Sequence, residues 1–209
     1  MIRIITVDDH AVVRRGLKQI IEEEPDMRVV DEAGNGHDAI SIIRRTACDM
    51  VILDITMPGM SGIEVLNHLR HEHPNLPVLI MSMHEEEQYA LRVIRAGASG
   101  YLKKDSIPEE LIKAIRKAIA GGKYISLSFS ETLVSGQEES FKPLHEKLSD
   151  REFQIMCMIA SGKALKDIGE DLCISGKTVS THRTHILDKM RMKTNADIVS
   201  YALKHKLIM

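Results

Sequence analysis

Apolar residues in the first part of the chain come in short runs separated by stretches of helical period. The runs are Ile2–Val7, Val29–Ala33, Val51–Ile55, Val78–Met81 and a weak one at Tyr101–Leu102. Between them, Val13, Leu17, Ile20 and Ile21 share one helical face, as do Leu91, Ile94 and the aliphatic stem of Arg95, and Leu111, Ile112, Ile115 and Ile119. Short strands alternating with amphipathic helices imply parallel crossovers and a sheet covered on both faces. Five such repeats predict an α/β doubly wound, flavodoxin-like domain with a five-stranded parallel sheet whose central strands include the first and the third.

The rhythm breaks at "GGKYISLSFSETLVSGQEESFKP", residues 121–143, which is rich in Gly, Ser and Glu and has little amphipathic period. It reads as a linker with a short helix around Ser130–Val134. From Leu144 onward the strand signals vanish. In "LSDREFQIMCMIASG", Ser149 with Glu152 three residues on forms a capping box, the apolar face runs Ile155, Met156, Ile159, and Gly162 closes the helix. Three further helices follow, the last two capped by Ser175 and Asn195. The predicted organisation is an α/β domain over residues 1–121, a linker over 122–143, and a small all-α four-helix domain with a helix-turn-helix over 144–209.

Charge sharpens this division. The 209-residue chain has a formal net charge of −2, but residues 1–121 sum to −4, residues 144–209 to +3, and residues 176–193 alone to +4. A local basic segment in an otherwise acidic chain suits a polyanion, although a solvated helix face would look the same. No apolar stretch approaches the ~20 residues of a bilayer crossing, and no cleavable signal precedes "MIRIITV", so no membrane partner and a cytoplasmic location are expected. Cys48, Cys157 and Cys173 are odd in number and widely spaced, which fits small apolar fillers better than a disulfide framework. The histidines His68, His71, His73 and His84 are expected to be solvated and are given no role.

The candidate chemistry lies at the strand ends. In an open α/β sheet, ligands bind at the carboxyl ends of the strands beside the topological switch point. Asp8 and Asp9 follow the first strand, Asp54 ends the third, Ser82 the fourth, and Lys104 follows the fifth. The topology therefore gathers three carboxylates, a hydroxyl and an ammonium. Such a cluster demands a cation, and oxygen ligands suit Mg²⁺, with the Thr56 carbonyl completing the shell. A carboxylate nucleophile there could form an acyl phosphate whose oxygens pair with Lys104. In the second domain, "LKDIGEDLCISGKTVSTHRTHILDKM" places two helices around a tight turn at Ile174–Gly176. Val179, Ile186, Leu187 and Met190, with the stem of Arg183, form the buried stripe of the second helix. Its other face offers Lys177, Ser180, Thr181, Thr184 and Asp188 to a major groove. Lys177, Arg183, Lys189, Arg191 and Lys193 are available for phosphates.

"VDDH", "LDITMPGMSG", "MSMHEEE" and "AGASGYLKKD" resemble, in order and spacing, the receiver domain of bacterial two-component response regulators. The resemblance implies Asp54 as phosphoacceptor, Asp8, Asp9, Asp54 and Thr56 as Mg²⁺ ligands, and Lys104 as the phosphate-contacting lysine. It also implies Ser82 and Tyr101 as a switch pair, with Tyr101 turning inward on phosphorylation. "LSDRE", "IGEDLCIS" and "KTVSTHRTHILDKM" resemble the LuxR-type helix-turn-helix of the NarL/FixJ family. That resemblance implies base-facing Ser180, Thr181 and Thr184, where relatives often carry Lys at the first and third of these positions, and Gly169 where a small Ala is usual. It further implies a sensor histidine kinase as phosphodonor, double-stranded promoter DNA as ligand, and a homodimer when phosphorylated, with Ile198, Tyr201 and Ala202 near the dimer contact. The expected function is a phosphorylation-controlled transcription regulator and not an enzyme. Two rivals stand beside it. A haloacid-dehalogenase-type phosphohydrolase also uses Mg²⁺, an Asp and a Lys, but its motif belongs after the first strand and comes with a cap domain. A regulator working through protein contacts would show no DNA binding, or DNA binding indifferent to salt.

Overall fold

The computed structural model describes residues 1–83, 86–125, 143–205 and 207–208, with the backbone alone for 86–88. It forms two compact units, Met1–Phe129 and Ser130–Met209. His84 and the short helix expected around 130–134 lie outside the described residues.

In the first unit, β1 (Ile2–Val7), β2 (Met27–Ala33), β3 (Met50–Asp54), β4 (Val78–Ser82) and β5 (Gly100–Lys103) alternate with α1 (Ala11–Glu22), α2 (Gly36–Arg45), α3 (Gly62–Glu72), α4 (Glu86–Arg95) and α5 (Pro108–Ile119). All strand pairs are parallel, in the order β2-β1-β3-β4-β5, so β1 and β3 are internal and the order reverses between them. Strands buried on both sides read as near-continuous apolar runs, and every residue of β3 and β4 is buried, with the polar Asp54 and Ser82 only at their carboxyl ends. One core joins Ile4, Ile52, Leu79, Met81 and Leu102 of the sheet to Leu17 and Ile21 of α1 and Leu111, Ala114, Ile115 and Ala118 of α5. Local signals fix the helix starts: Asn35 caps α2, Ser61 and Glu64 form a capping box on α3, and Pro108 opens α5.

Two expectations for this unit need correction. The buried side of α4 is Tyr89, Ala90, Val93 and Ile94, whereas Leu91 is half-buried and Arg95 exposed. Spacing of one and four residues makes these four a continuous stripe, and it spares the Arg95 charge from burial. The linker also begins later than expected, because Tyr124 extends the sheet. Its N–H donates to Ser99 O and its carbonyl accepts from Tyr101 N, both at 2.9 Å. Gly100 permits that approach, since a Cβ there would lie 2.6 Å from Tyr124 O.

The second unit starts with a 3₁₀ turn (Leu144–Lys147), followed by α6 (Asp150–Ala160), α7 (Leu165–Asp171), α8 (Gly176–Met190) and α9 (Asn195–Lys204). The Ser149–Glu152 capping box forms as the sequence predicts, and Ser175 caps α8. The last cap is Thr194 rather than Asn195, with Asp197 completing a capping box. Asn195 lies one residue too late, and its side-chain oxygen instead accepts from Arg183 Nε at 2.6 Å. Helix α8 packs on α6 and α7, and α9 packs on α6. Val179, Ile186, Leu187 and Met190 are buried as the predicted stripe requires.

The glycine at 169 has a packing reason that composition could not reveal. A Cβ there would come 2.8 Å from the Ile174 carbonyl, across the turn between α7 and α8. The roughly 1 kcal/mol helix penalty of glycine is set against that close approach. None of the three cysteines is in a disulfide, but Cys173, in the turn at φ 51°, is exposed rather than a core filler.

Candidate functional site

The strand ends bring the predicted groups together. Asp8 (2% exposed) and Asp54 (3% exposed) face the same ammonium: Lys104 Nζ is 2.6 Å from Asp8 Oδ2 and 2.8 Å from Asp54 Oδ2. Asp54 Oδ1 accepts weakly from Thr56 N at 3.3 Å, and Asp8 Oδ1 accepts from His10 N at 2.8 Å. Ser82 is fully buried at the end of β4, and its carbonyl accepts from Lys104 N at 2.9 Å, which ties the hydroxyl-bearing strand end to the lysine.

Three residues outside the predicted set complete the pocket. Arg14 Nη1 donates to the Asp8 carbonyl at 2.6 Å, and the His10 ring nitrogen lies 2.7 Å from Asp9 Oδ1. Gly62 donates its N–H to Ile55 O at 2.9 Å and lets α3 start directly against the Asp54 carbonyl. "DDH" and the glycine of "PGMSG" carried a faint signal for two of them. Arg14 had none, since its partner is a backbone oxygen that only the turn after β1 presents.

Three carboxylates outnumber the Lys104 ammonium and the Arg14 guanidinium, which leaves the pocket short of positive charge. Burial pushes the Asp54 carboxyl up to about 6, against the pull of Lys104 and with a further push from the Asp8 charge. Burial alone would lower the Lys104 ammonium, but Asp54 and Asp8 outweigh it and hold the lysine above its usual range. Asp8, Asp9, His10 and Asp54 each offer a ligand atom within 4.8 Å of one another. Asp9 Oδ1 is buried without a hydrogen bond, because the nearby His10 nitrogen lies outside bonding geometry. A buried acceptor without a donor, in an acidic oxygen-lined pocket, fits a hard divalent cation.

Tyr101, the other member of the expected switch pair, points inward at 3% exposed, and its backbone N–H donates to the Tyr124 carbonyl at 2.9 Å.

On α8, Lys177, Ser180, Thr181, Thr184 and Asp188 are exposed. Two cations expected to be available for phosphates are engaged elsewhere. Lys189 Nζ contacts both carboxylate oxygens of Glu152, at 2.6 and 2.9 Å, and half-buried Arg183 is held by Asn195. Glu152, 4% exposed, also caps α6, so Lys189 ties the end of α8 to the start of α6. Burial favours protonation of Glu152, yet Lys189 and the Ser149 N–H hold its carboxyl below the usual range. Lys189→Met keeps the stem and removes the charge. It is expected to lower the stability of the second unit by about 1–2 kcal/mol, read as an earlier thermal transition for that unit; an unchanged transition would make the pair incidental.

The doubly wound sheet, its acidic strand-end pocket and the helix-turn-helix unit define a receiver joined to a DNA-binding module. Residues 4–116 match the response regulator receiver domain, and residues 146–202 match the luxR family of bacterial regulatory proteins. The chain belongs to the two-component response regulators, in the NarL/FixJ family that joins a receiver to a LuxR-type DNA-binding helix-turn-helix for transcription regulation. It is 38% identical over 214 residues to the oxygen regulatory protein NreC of Staphylococcus carnosus, covering 99% of each chain. It is 34% identical over 209 residues to the response regulator UvrY of Escherichia coli, covering 99% of this chain and 96% of that one. Among solved structures, the response regulator ChrA of a heme-sensing two-component system aligns with a TM-score of 0.53 at 32% identity, over 99% of this chain and 98% of the other. The phosphohydrolase rival loses its ground, since Asp54 closes β3 and not β1. Among the described residues, no helix is long and apolar enough to cross a membrane.

Proposed function

We propose that Asp54 accepts a phosphoryl group from the phosphohistidine of a partner sensor histidine kinase, and that the phosphorylated chain binds promoter DNA as a homodimer in the cytoplasm. The observation that carries this reading is the buried Asp54 carboxylate with Lys104 Nζ 2.8 Å away. An ionised oxygen of Asp54 attacks phosphorus in line; the P–N bond to the donor imidazole breaks and an acyl phosphate forms. Lys104 transfers its contact from the carboxylate to the phosphoryl oxygens, and the Ser82 hydroxyl donates to one of them. Asp8, Asp9, Asp54 and the Thr56 carbonyl would hold Mg²⁺, which when bound offsets the charge on the phosphoryl oxygens. Without Mg²⁺ burial holds the Asp54 carboxyl near 6, so the nucleophile is already ionised at neutral pH before the cation binds.

The receiver would run from residue 1 through Tyr124, past the expected boundary at 121, and a linker up to residue 143 would join it to the DNA-binding domain over 144–209. Ser180, Thr181 and Thr184 would face bases, and Lys177, Arg191 and Lys193 would meet phosphates. Arg183 and Lys189 would act chiefly by holding the recognition helix in place.

The test is a gel shift on a pool of random duplexes, with and without acetyl phosphate and Mg²⁺, for the wild type and Asp54→Asn. Acetyl phosphate is expected to tighten wild-type binding about tenfold or more, the scale of a coupling of 1–3 kcal/mol, and to leave the variant unmoved. Equal binding by both proteins would end control through Asp54 while sparing the DNA-binding half.

A further inference from the structure

The exposed strip of α8 runs Lys177, Thr181, Thr184, Asp188, positions spaced so that they stack along one helical face. The two central threonines have already committed their hydroxyl protons. Thr181 Oγ1 donates to Lys177 O at 3.1 Å, and Thr184 Oγ1 donates to Ser180 O at 3.1 Å. A hydroxyl has one proton and two lone pairs. Each threonine can therefore offer DNA only an acceptor oxygen and a γ-methyl, unless it first breaks its bond to the helix. Asp188, one turn beyond, is likewise acceptor-only when ionised.

Base edges answer such a surface unequally. In the major groove guanine displays two acceptors, N7 and O6, and so needs the donors that Arg or Lys supplies. Adenine is best read by the paired donor and acceptor of Asn or Gln. Neither kind of side chain stands at 180, 181 or 184. The acceptor oxygens can take a proton from cytosine N4 or adenine N6, whereas the two neighbouring γ-methyls read another methyl, which thymine alone of the four bases carries in the major groove.

Resting on the DNA-binding reading above, we propose that Thr181 and Thr184 select thymines in each half-site through methyl–methyl contact and disfavour guanine there. Binding is then specified by apolar contact at the centre of the recognition face, with Lys177 as the donor at its N-terminal end.

The experiment first selects duplexes from a random pool with the full chain in acetyl phosphate and Mg²⁺, then replaces each thymine of the selected half-site with deoxyuridine, which removes only the 5-methyl. Deoxyuridine at one or two positions is expected to weaken binding about three- to fivefold each, the effect of losing one buried methyl. Thr181→Ser and Thr184→Ser, which delete the protein's methyl, should weaken binding similarly and abolish the deoxyuridine effect at the matching position. Thr181→Val and Thr184→Val, which keep the methyls and lose the hydroxyls, should bind within about twofold of wild type on the same methyl accounting. Selective binding indifferent to every deoxyuridine overturns this assignment while leaving DNA recognition intact. So does guanine selected at these positions, or a collapse of binding in the valine variants with helicity unchanged. Failure to bind any duplex at low salt overturns the DNA-binding reading, and this assignment with it.

Discussion

Gly62→Ala is expected to lower the stability of the receiver by about 3 kcal/mol or more, the upper end of overpacking penalties. The methyl would overlap the Asp54 carbonyl oxygen and sit 2.8 Å from its carbon and 2.9 Å from Ile55 Cα, and all three are backbone atoms. A backbone neighbour cannot swing aside as a side chain does. Either α3 retreats, losing the 2.9 Å bond from Gly62 N to Ile55 O, or the end of β3 shifts. Both responses move Asp54, so labelling by acetyl phosphate should fall together with thermal stability. The unfolding midpoint of the first unit is expected to drop by roughly 10 °C or more. Gly16→Ala is the control. It lies inside α1 with nothing within 4 Å of the added methyl, and should stabilise by up to about 1 kcal/mol. If Gly62→Ala melts and labels like the wild type, the contact between α3 and Asp54 has no functional weight.

The second large effect concerns charge. Asp54→Asn is expected to stabilise the receiver in EDTA at neutral pH. Folding raises the Asp54 carboxyl from 3.8 to about 6, so the folded chain holds this proton more tightly than the unfolded one. A group raised in this way favours the fold fully below 3.8 and loses that contribution as the pH climbs through 6. Above that window the ionised carboxylate opposes folding by about 3 kcal/mol, the free-energy equivalent of the displacement. Asparagine keeps the shape without the charge. The variant's advantage should therefore be small near pH 4, grow up to about pH 6 and level off above it. Mg²⁺ is expected to reverse the order, since a cation bound among Asp8, Asp9 and Asp54 stabilises the folded wild type by mass action and has fewer ligands in the variant. Thermal melts of both proteins across this range, with EDTA or Mg²⁺, read both effects. An advantage that is flat in pH, or a destabilised variant in EDTA, would remove the electrostatic account of the pocket.

These two residues mark where sequence reasoning ends. The alternation of apolar runs and helical stripes determined the strands, the parallel crossovers and the division into two domains, because burial on two faces and burial on one face leave different periods. Asp8, Asp9, Asp54 and Lys104 were legible as a cluster because each ends or follows a strand, and parallel strands bring their carboxyl ends to one rim. The contacts of Lys189 and Arg183 within the second unit were not legible, because nothing along the chain marks Glu152 or Asn195 as their partners, 37 and 12 residues away. The same holds for Arg14, bound to a carbonyl, and for the Thr181 and Thr184 protons, committed to their own helix. Periodicity along a chain records which face is buried. Which polar atom meets which, and how closely α3 approaches Asp54, depends on packing in three dimensions, and the tertiary structure alone decided it.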